Sequence, residues 1–169
     1  HHGAPVGPAD GAGPRTTWRS VDIGRPAGSR AQEQHEVDTL AAALAGCDAV
    51  IHLAWLIQPN RDRDLLRRVN VDGTRRVAQA AAQAGVRTLV CASSMGAYSP
   101  APDAAPRDES WPTGGVRTSH YSVDKAAQER VLDEVGAEHP GMAIVRLRTG
   151  LVFQAEAAAE IVGYFVGSL

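Results

Sequence analysis

Short apolar runs alternate with helix-forming segments along most of the 169-residue sequence. Three runs have the length and β-rich composition of buried strands: 49–53 (AVIHL), 88–92 (TLVCA) and 143–147 (AIVRL). Helical patterns stand between and after these runs, at 37–45, 62–84, 119–139 and 156–169. Because alternating strands and helices form right-handed βαβ units, the sequence predicts an α/β fold with a mainly parallel sheet.

The N-terminal part of the sequence is less regular. Residues 1–15 hold repeated glycine and proline, so we expect a flexible lead-in or the remnant of a tag there. Residues 16–23 (TTWRSVDI) are a candidate for a further short strand. Residues 16–169 are then predicted to form one partial domain, whose sheet is incomplete at its N-terminal edge.

Charge and composition exclude several classes of partner. The formal net charge of -2, with arginines spread among acids, gives no reason to expect nucleic acid. No apolar run approaches the roughly 18 residues that span a bilayer and no signal peptide is recognisable, so we expect no membrane partner and a cytoplasmic location. Cys47 and Cys91 fit neither a disulfide framework nor a metal cluster. We expect both to be core residues in a reducing compartment, with no metal site.

Polar side chains with chemical potential follow the predicted strands. In parallel sheets, ligands bind beyond the carboxyl ends of the strands. Ser93 and Ser94 come directly after the strand at 88–92. Tyr121 and Lys125 lie four residues apart in the helix at 119–139, so their side chains share one helical face.

The tyrosine–lysine pair is electrostatically suited to proton transfer. A free tyrosine has a pKa near 10, and lowering it by about 3 units requires about 4 kcal/mol. A lysine charge about 5 Å away supplies about 3 kcal/mol at an effective dielectric of 20. Alone, the tyrosine–lysine spacing is equally typical of an exposed helix face, and the serine pair of a turn or helix cap. Together, at two carboxyl-end positions of one sheet, they favour Tyr121 as a proton shuttle and Ser94 as a ligand of the substrate oxygen.

Six segments, in order, resemble motifs of the extended short-chain dehydrogenase/reductases, the NAD-dependent epimerase/dehydratase family. They are VDI (21–23), DAVIHLAW (48–55), NVDGT (70–74), VCASSMGAY (90–98), YSVDK (121–125) and RLRTG (146–150). The resemblance implies a Rossmann-like, doubly wound, mainly parallel sheet. It also implies NAD or NADP as the cofactor, with the choice between the two not readable from the sequence.

The same resemblance assigns roles to individual residues. Ser94, four residues before the tyrosine of its motif, matches the catalytic serine, with Tyr121 as general acid/base and Lys125 as the residue that lowers its pKa. Asp22 would bind the adenine amino group and Ile23 would pack on the adenine ring. A packing role for Trp55 is as compatible with the sequence as a place in the cofactor cleft. The cofactor-binding residues that the resemblance implies are Asp22, Ile23, Leu53, Ala54, Trp55, Asn70, Ala92, Ser93, Tyr121, Lys125, Leu147 and Thr149.

One motif of the family is missing from this sequence. The family's domain opens with a strand and a glycine-rich turn (TGxxGxxG) that holds the pyrophosphate at a helix N-terminus. The segment GPADGAG (7–13) has glycines, but prolines flank them and no strand precedes them. The sequence is compatible with a shortened form of a longer protein, with its ordered part, or with a naturally degenerate member.

Two functions follow from these observations. The first is an NAD(P)-dependent oxidoreductase, epimerase or dehydratase that transfers a hydride at a hydroxyl-bearing carbon. The second is a non-catalytic nucleotide-sensing or interaction module that keeps the fold. The expected partners are a small-molecule substrate, such as a sugar nucleotide or another hydroxyl or carbonyl compound, and a second copy of the chain. The resemblance implies that this homodimer forms through the helices at 62–84 and 119–139.

Overall fold

The computed structural model describes residues 16–57 and 61–152. The order of elements alternates helices with strands, as the apolar pattern predicts. These elements are α1 (Arg30–Leu44), β1 (Ala49–His52), α2 (Arg63–Arg67), a π-helical turn (Arg68–Asp72), α3 (Gly73–Gln83), β2 (Thr88–Ala92), a 3-10 turn (Met95–Ala97), α4 (His120–Glu138) and β3 (Ala143–Leu147). The predicted helix at 156–169 and the predicted lead-in at 1–15 lie outside the described residues.

The three strands form one parallel sheet in the order β1-β2-β3. Val50 pairs with Leu89, and Leu89 in turn with Ile144, so all three strands end at the same edge. Because the connections carry helices, each neighbouring pair of strands is a βαβ unit. The prediction of an α/β fold with a parallel sheet is confirmed.

The strand predicted at 16–23 is wrong. Residues 16–22 have no regular structure, and the chain turns at Ile23 and Gly24, where the Asp22 carboxylate accepts the Gly24 N–H at 2.9 Å. Val21 and Ile23 pack against the core instead of pairing with a neighbouring strand. The segment has β-forming residues, but within the described part of the chain no strand lies beside it to complete a ladder.

The core lies between the sheet and a single layer of helices. Residues of α1, α3 and α4 pack on the face of the sheet that carries Val50, Leu89 and Cys91. On the opposite face, Ile51 is 68% exposed and Leu147 is 46% exposed. Parallel sheets are normally covered on both faces. Of the two helical layers of a doubly wound fold, the described residues therefore supply one.

The helix predicted at 62–84 is a helical segment with a π turn inside it. Asp62 caps its start by accepting the Leu65 N–H at 2.9 Å. The apolar spacing predicts one inward face, made of Leu66, Val69, Gly73, Val77, Ala80 and Ala84. Val69 and Ala84 are half-buried and the other four are buried. The π turn at 68–72 was not predicted, because one inserted residue in a helical turn leaves no clear mark on the apolar period.

The ends of α1 and α4 show how far capping residues define these helices. α1 begins at Arg30, seven residues before the predicted start, because Ser29 accepts the Gln32 N–H at 3.2 Å. α4 begins at His120, one residue after the predicted start, because the Ser119 hydroxyl caps it by accepting the Ser122 N–H at 3.3 Å. The apolar spacing predicts one inward face of this helix, made of Val123, Ala127, Val131 and Val135. The last three are buried, but Val123 is exposed.

Two further expectations concern cysteines and membranes. Cys91 is buried, as predicted, but Cys47 is exposed because it follows the turn at Gly46 between α1 and β1. Both thiols are free. Among the helices that the structure describes, none combines the length and the apolar character needed to cross a membrane.

The long segment between β2 and α4 is fixed to the domain at several points. Ser99 N–H donates to the Pro112 carbonyl at 2.7 Å, and the Trp111 indole donates to the Ser99 carbonyl at 2.9 Å. Gly115 N–H donates to the Ala97 carbonyl at 3.0 Å, which brings the end of the segment beside the start of α4.

We expect Gly115→Ala to destabilise the fold by about 2 kcal/mol or more. Gly115 has a φ of 69°, and an added Cβ would lie 2.6 Å from the Ser122 carbonyl oxygen. Chemical denaturation measures the change. Gly141→Ala is the matched control, since no heavy atom lies within 4 Å of a Cβ there, and it should change stability by no more than about 0.5 kcal/mol. Equal stability of the two variants would contradict this account of the segment.

Candidate active site

Ser94 and Tyr121 meet beside one glycine at the carboxyl end of the sheet. Ser94 follows β2 by two residues, and Tyr121 lies in the first turn of α4. A Cβ on Gly96 would lie 3.1 Å from Tyr121 Cε1 and 3.4 Å from Ser94 Oγ. The phenol ring and the hydroxyl therefore face the same small space, and only glycine leaves that space open.

The Ser94 hydroxyl caps a turn and keeps its proton available. Its Oγ accepts the Gly96 N–H at 3.0 Å, so it caps the 3-10 turn at 95–97. Turn capping, one of the two roles expected for the serine pair, is therefore present. Since this bond uses only a lone pair of Ser94, the O–H can still donate to a ligand oxygen.

Lys125 lies one turn below Tyr121 and is only 2% exposed. Its ammonium donates to the Ala92 carbonyl at 2.8 Å and to Gln128 Oε1 at 3.1 Å. It also lies 3.5 Å from the centroid of the Trp55 ring and 5.9 Å from that of the Tyr121 ring. Burial lowers the pKa of Lys125 to about 8, with Cys91 and Glu129 opposing that effect. The group is therefore still mostly protonated at pH 7.

Trp55 and Tyr121 form the rim of this site. Their ring centroids are 5.7 Å apart with an interplanar angle of 74°, an edge-to-face contact. Tyr121 is 41% exposed, so part of the residue is accessible from outside. Next to both rings is a cavity of about 280 Å³ whose walls include Ile57 and the ion pair of Arg63 and Asp124, 3.1 Å apart.

Ser93 differs sharply from its neighbour Ser94. It is buried, and its hydroxyl donates to Glu129 of α4. Glu129 also accepts two hydrogen bonds from Arg148, at 2.9 and 3.0 Å. Burial alone would raise the pKa of Glu129, but the hydrogen bonds from Arg148 and Ser93 hold that pKa below its usual value. Glu129 is therefore a buried carboxylate that links β2, α4 and the end of β3.

Arg148 extends this link to the loops above the sheet. Its guanidinium also donates to the Tyr98 hydroxyl at 3.2 Å and to the Glu109 carbonyl at 2.8 Å. Backbone bonds join the same strand ends, from Ser93 N–H to the Leu147 carbonyl at 3.0 Å. The position of the serine turn, the 3-10 turn that follows Ser94, thus depends on Arg148, the residue directly after β3.

His52 and Asn70 lie beneath the site. Thr74 donates its hydroxyl proton to the Asn70 carbonyl at 2.7 Å, so His52 Nε2, 3.0 Å away, must donate to Thr74. Burial, with a smaller contribution from the Lys125 charge, lowers the pKa of His52 to about 4, so the ring is neutral at pH 7. The Asn70 side chain binds both backbone groups of Leu56, at 2.7 and 2.8 Å. It therefore fixes the loop that carries Trp55.

A profile of the NAD dependent epimerase/dehydratase family matches residues 19–163. The chain belongs to this family. The match covers most of the chain, and it includes all six segments on which the resemblance was based. The family membership predicted from the sequence is confirmed.

Other proteins of known identity are similar to this epimerase/dehydratase family member. It is 35% identical over 107 residues to 3 beta-hydroxysteroid dehydrogenase type 7 of Rattus norvegicus, covering 60% of this chain and 31% of that protein. A short-chain dehydrogenase/reductase superfamily protein from Agrobacterium tumefaciens, solved with bound NAD, superposes with a TM-score of 0.56 at 36% identity over 64% of this chain and 33% of that one. The UDP-glucose 4-epimerase of Thermus thermophilus, complexed with NAD, gives a TM-score of 0.57 at 28% identity over 76% and 39%. This chain spans about a third of the length of such relatives.

In this epimerase/dehydratase family member, most of the predicted cofactor residues lie along one edge of the sheet. Residues that follow or end the three strands are exposed or half-buried there: Leu53, Ala54, Trp55, Ala92, Leu147 and Thr149. Asp22 is exposed at the turn beside α3, and Ile23 packs on Gly73, where an added Cβ would be 3.1 Å from the Ile23 side chain. Besides Lys125, two predicted residues are buried with their polar groups hydrogen-bonded: Asn70 to Leu56 and Ser93 to Glu129.

Three polar residues around the site were not predicted from the sequence: the buried Gln128 and Glu129 and the half-buried Arg148. The spacing contained a signal for one of them. Glu129 stands four residues after Lys125 and eight after Tyr121, so all three share one helical face. For Gln128 and Arg148 there was no such signal, since polar residues in a helix or after a strand are usually solvated.

Proposed function

We propose that this chain forms the catalytic edge of an NAD(P)-dependent oxidoreductase, epimerase or dehydratase. The observation that carries the proposal is the meeting of Ser94 and Tyr121 beside Gly96, with the buried Lys125 ammonium one helical turn below. Three elements, β2, the 3-10 turn and α4, converge to build this arrangement. A solvated helix face or a simple turn does not require a buried lysine at that point.

Each of the three side chains has a distinct part in the proposed reaction. Tyr121, which is 41% exposed, transfers a proton to or from the substrate oxygen. Lys125 stabilises the phenolate through its positive charge in a poorly solvated site. Ser94 donates its O–H to the same substrate oxygen and holds it beside Tyr121.

The residues at this edge fit a nicotinamide cofactor in part. When bound, such a cofactor accepts or donates the hydride. Lys125 has a third N–H, beyond those given to Ala92 and Gln128, with which it could bind a ribose hydroxyl. The exposed Asp22 carboxylate could accept the adenine amino group. Within the described residues, no glycine-rich turn is present to hold the pyrophosphate, so those contacts are not assigned to this part of the chain.

The cavity beside Tyr121 is the proposed place for part of the substrate. Its apolar walls are formed by Trp55, Leu56, Ile57 and Leu66, and Arg63 and Asp124 add one ion pair. This mixture suits a small hydroxyl or carbonyl compound, and a sugar nucleotide is one such compound. The alternative function, a nucleotide-sensing or interaction module, would need the same fold but no reactive Tyr121.

A homodimer and a cytoplasmic location stay predictions. The helices at 62–84 and 119–139 are the proposed dimer surface, but their small apolar residues Val71, Ala127 and Val131 pack against each other within the chain. What these helices expose is mostly charged, including the ion pair of Arg75 and Glu134. A dimer through this face would therefore rest on polar contacts, and sedimentation equilibrium of the full-length protein tests it.

We expect the full-length protein to bind NAD or NADP and to reduce it in the presence of a suitable alcohol. Calorimetric titration with each cofactor measures binding. Absorbance of the reduced nicotinamide measures net oxidation of an alcohol, and NMR of the products measures epimerisation or dehydration, in which the hydride returns to the substrate. Arg130→Ala, an exposed change on the same helix as Tyr121, is the control and should leave both unchanged. Cofactor binding without turnover on any alcohol or ketone would support the sensing module, and failure to bind either cofactor would overturn the proposed function.

A further inference from the structure

Gln128 joins the proposed catalytic lysine to two other elements of the fold. Its side-chain oxygen accepts from the Lys125 ammonium at 3.1 Å. Its side-chain nitrogen donates to the Thr74 hydroxyl at 3.2 Å and lies 3.4 Å from Cys91 Sγ. The residue is 1% exposed, so no solvent competes for these bonds.

The orientation of the Gln128 amide is determined by its neighbours. The Thr74 hydroxyl gives its only proton to the Asn70 carbonyl, so towards Gln128 it can only accept. The amide must therefore present its NH₂ group to Thr74 and its oxygen to the ammonium. The reverse orientation would place an N–H donor against Lys125 and leave a buried carbonyl without a donor.

We propose that Gln128 is a positioning residue for Lys125, whose ammonium it holds beneath Tyr121 and keeps protonated by accepting one of its three N–H bonds. The contact itself is independent of any reaction. Its value for turnover rests on the function proposed above, in which the lysine charge makes the phenol acidic.

The surroundings of Lys125 explain why a neutral acceptor matters here. On α4 the ionisable groups that face it are Tyr121 and Glu129, on β2 Cys91, and on β1 His52. His52 and Cys91 are neutral at pH 7, because burial lowers the pKa of His52 to about 4 and raises that of Cys91 to about 11. The Glu129 carboxylate is paired with Arg148, which donates a hydrogen bond to each of its oxygens.

Two oxygens and one aromatic ring therefore make most of the contacts that stabilise the Lys125 ammonium. They are the Ala92 carbonyl, the Gln128 amide oxygen and the face of Trp55. Burial still lowers the pKa of Lys125 to about 8, so the margin between this pKa and physiological pH is small. Loss of one of the two oxygen acceptors should remove much of that margin.

Lys125 is the sole lysine in the sequence, which allows a selective measurement. Full-length protein labelled with ¹³C at the lysine Cε is titrated by NMR, and the Lys125 signal is identified as the one that is lost in Lys125→Arg. Gln128→Leu should lower the Lys125 midpoint from about 8 to roughly 7 or below. Gln128→Glu, which has nearly the same shape, should raise it to roughly 9 or above. Gln83→Leu, at the exposed end of α3, is the control and should leave the midpoint unchanged.

Equal midpoints in all four proteins would overturn the inference. If Gln128→Leu does not fold, Gln128→Glu decides alone, since an unchanged midpoint there is equally contradictory. The pH profile of turnover separates this inference from the proposed function. The basic limb of kcat should move with the lysine midpoint in each variant. A lysine midpoint that moves in a protein without turnover supports the positioning role and counts against the proposed function, whereas turnover with an unmoved midpoint does the reverse.

Discussion

Tyr121→Phe is expected to lower kcat of the full-length protein by about 10² to 10⁴-fold, the usual contribution of a positioned acid/base group. The substitution removes only the hydroxyl. The ring keeps its edge-to-face contact with Trp55 and its place beside Gly96, so the fold and the cofactor affinity should change little. The loss should appear equally in kcat and kcat/KM, because the proton is transferred only in the transition state.

The matched control for Tyr121→Phe is Val123→Ala, an exposed change two residues along the same helix. It should retain full turnover. Ser94→Ala should lower kcat as well, because the substrate oxygen loses a donor. Turnover by Tyr121→Phe at the wild-type rate would show that another group moves the proton, and the role given to this tyrosine would be wrong.

Arg148→Leu is expected to have the largest effect on stability, a loss of about 3 to 5 kcal/mol. Glu129 is 1% exposed, and Arg148 supplies two of the hydrogen bonds that make its charge tolerable. Arg146 Nε, 3.3 Å from Glu129 and without a hydrogen bond of its own, does not replace them. The substitution also releases the serine turn at Tyr98 and the loop at Glu109.

Urea unfolding at several pH values measures the effect of Arg148→Leu. The loss of unfolding free energy relative to wild type should shrink as the pH falls from 7 towards 4. Without the hydrogen bonds from Arg148, burial raises the pKa of Glu129 above its unfolded value, and the protonated form costs less to bury. Adding Glu129→Gln to Arg148→Leu should restore part of the stability. Arg87→Leu is the control, since its ion pair with Asp48 is fully surface-exposed and is worth no more than about 1 kcal/mol. A similar loss in both arginine variants would contradict the importance given to burial.

The sequence predicted the three strands to within one residue, because short β-rich runs between helices have few alternative structures. It predicted the start of α4 to within one residue, at Ser119 instead of His120. It also predicted the inward face of α3 from the apolar period. The strand at 16–23 was wrong, since a strand also needs a neighbour to pair with. The start of α1 was placed too late because its first turns, from Arg30 to His35, are polar and offered no apolar period.

The candidate site could be predicted only for residues whose position depends on local geometry. Ser94 follows a strand and Tyr121 and Lys125 share a helical face, so spacing alone places them. Gln128 and Glu129 are buried because two further elements cover α4, and the sequence does not show which polar side of a helix is covered. The tertiary structure therefore decides which polar residues surround the lysine.

The most direct test of the account is the response of Lys125 to a nicotinamide cofactor. The full-length protein, labelled at the lysine Cε, is titrated with NAD and with NADP while the Lys125 resonance is followed. The account predicts a saturable change of that resonance, with the same midpoint as the calorimetric binding curve. Tyr121→Phe should give nearly the same response, since it should keep its cofactor affinity. A resonance that stays unmoved while the cofactor saturates the protein would place the cofactor elsewhere and contradict the account.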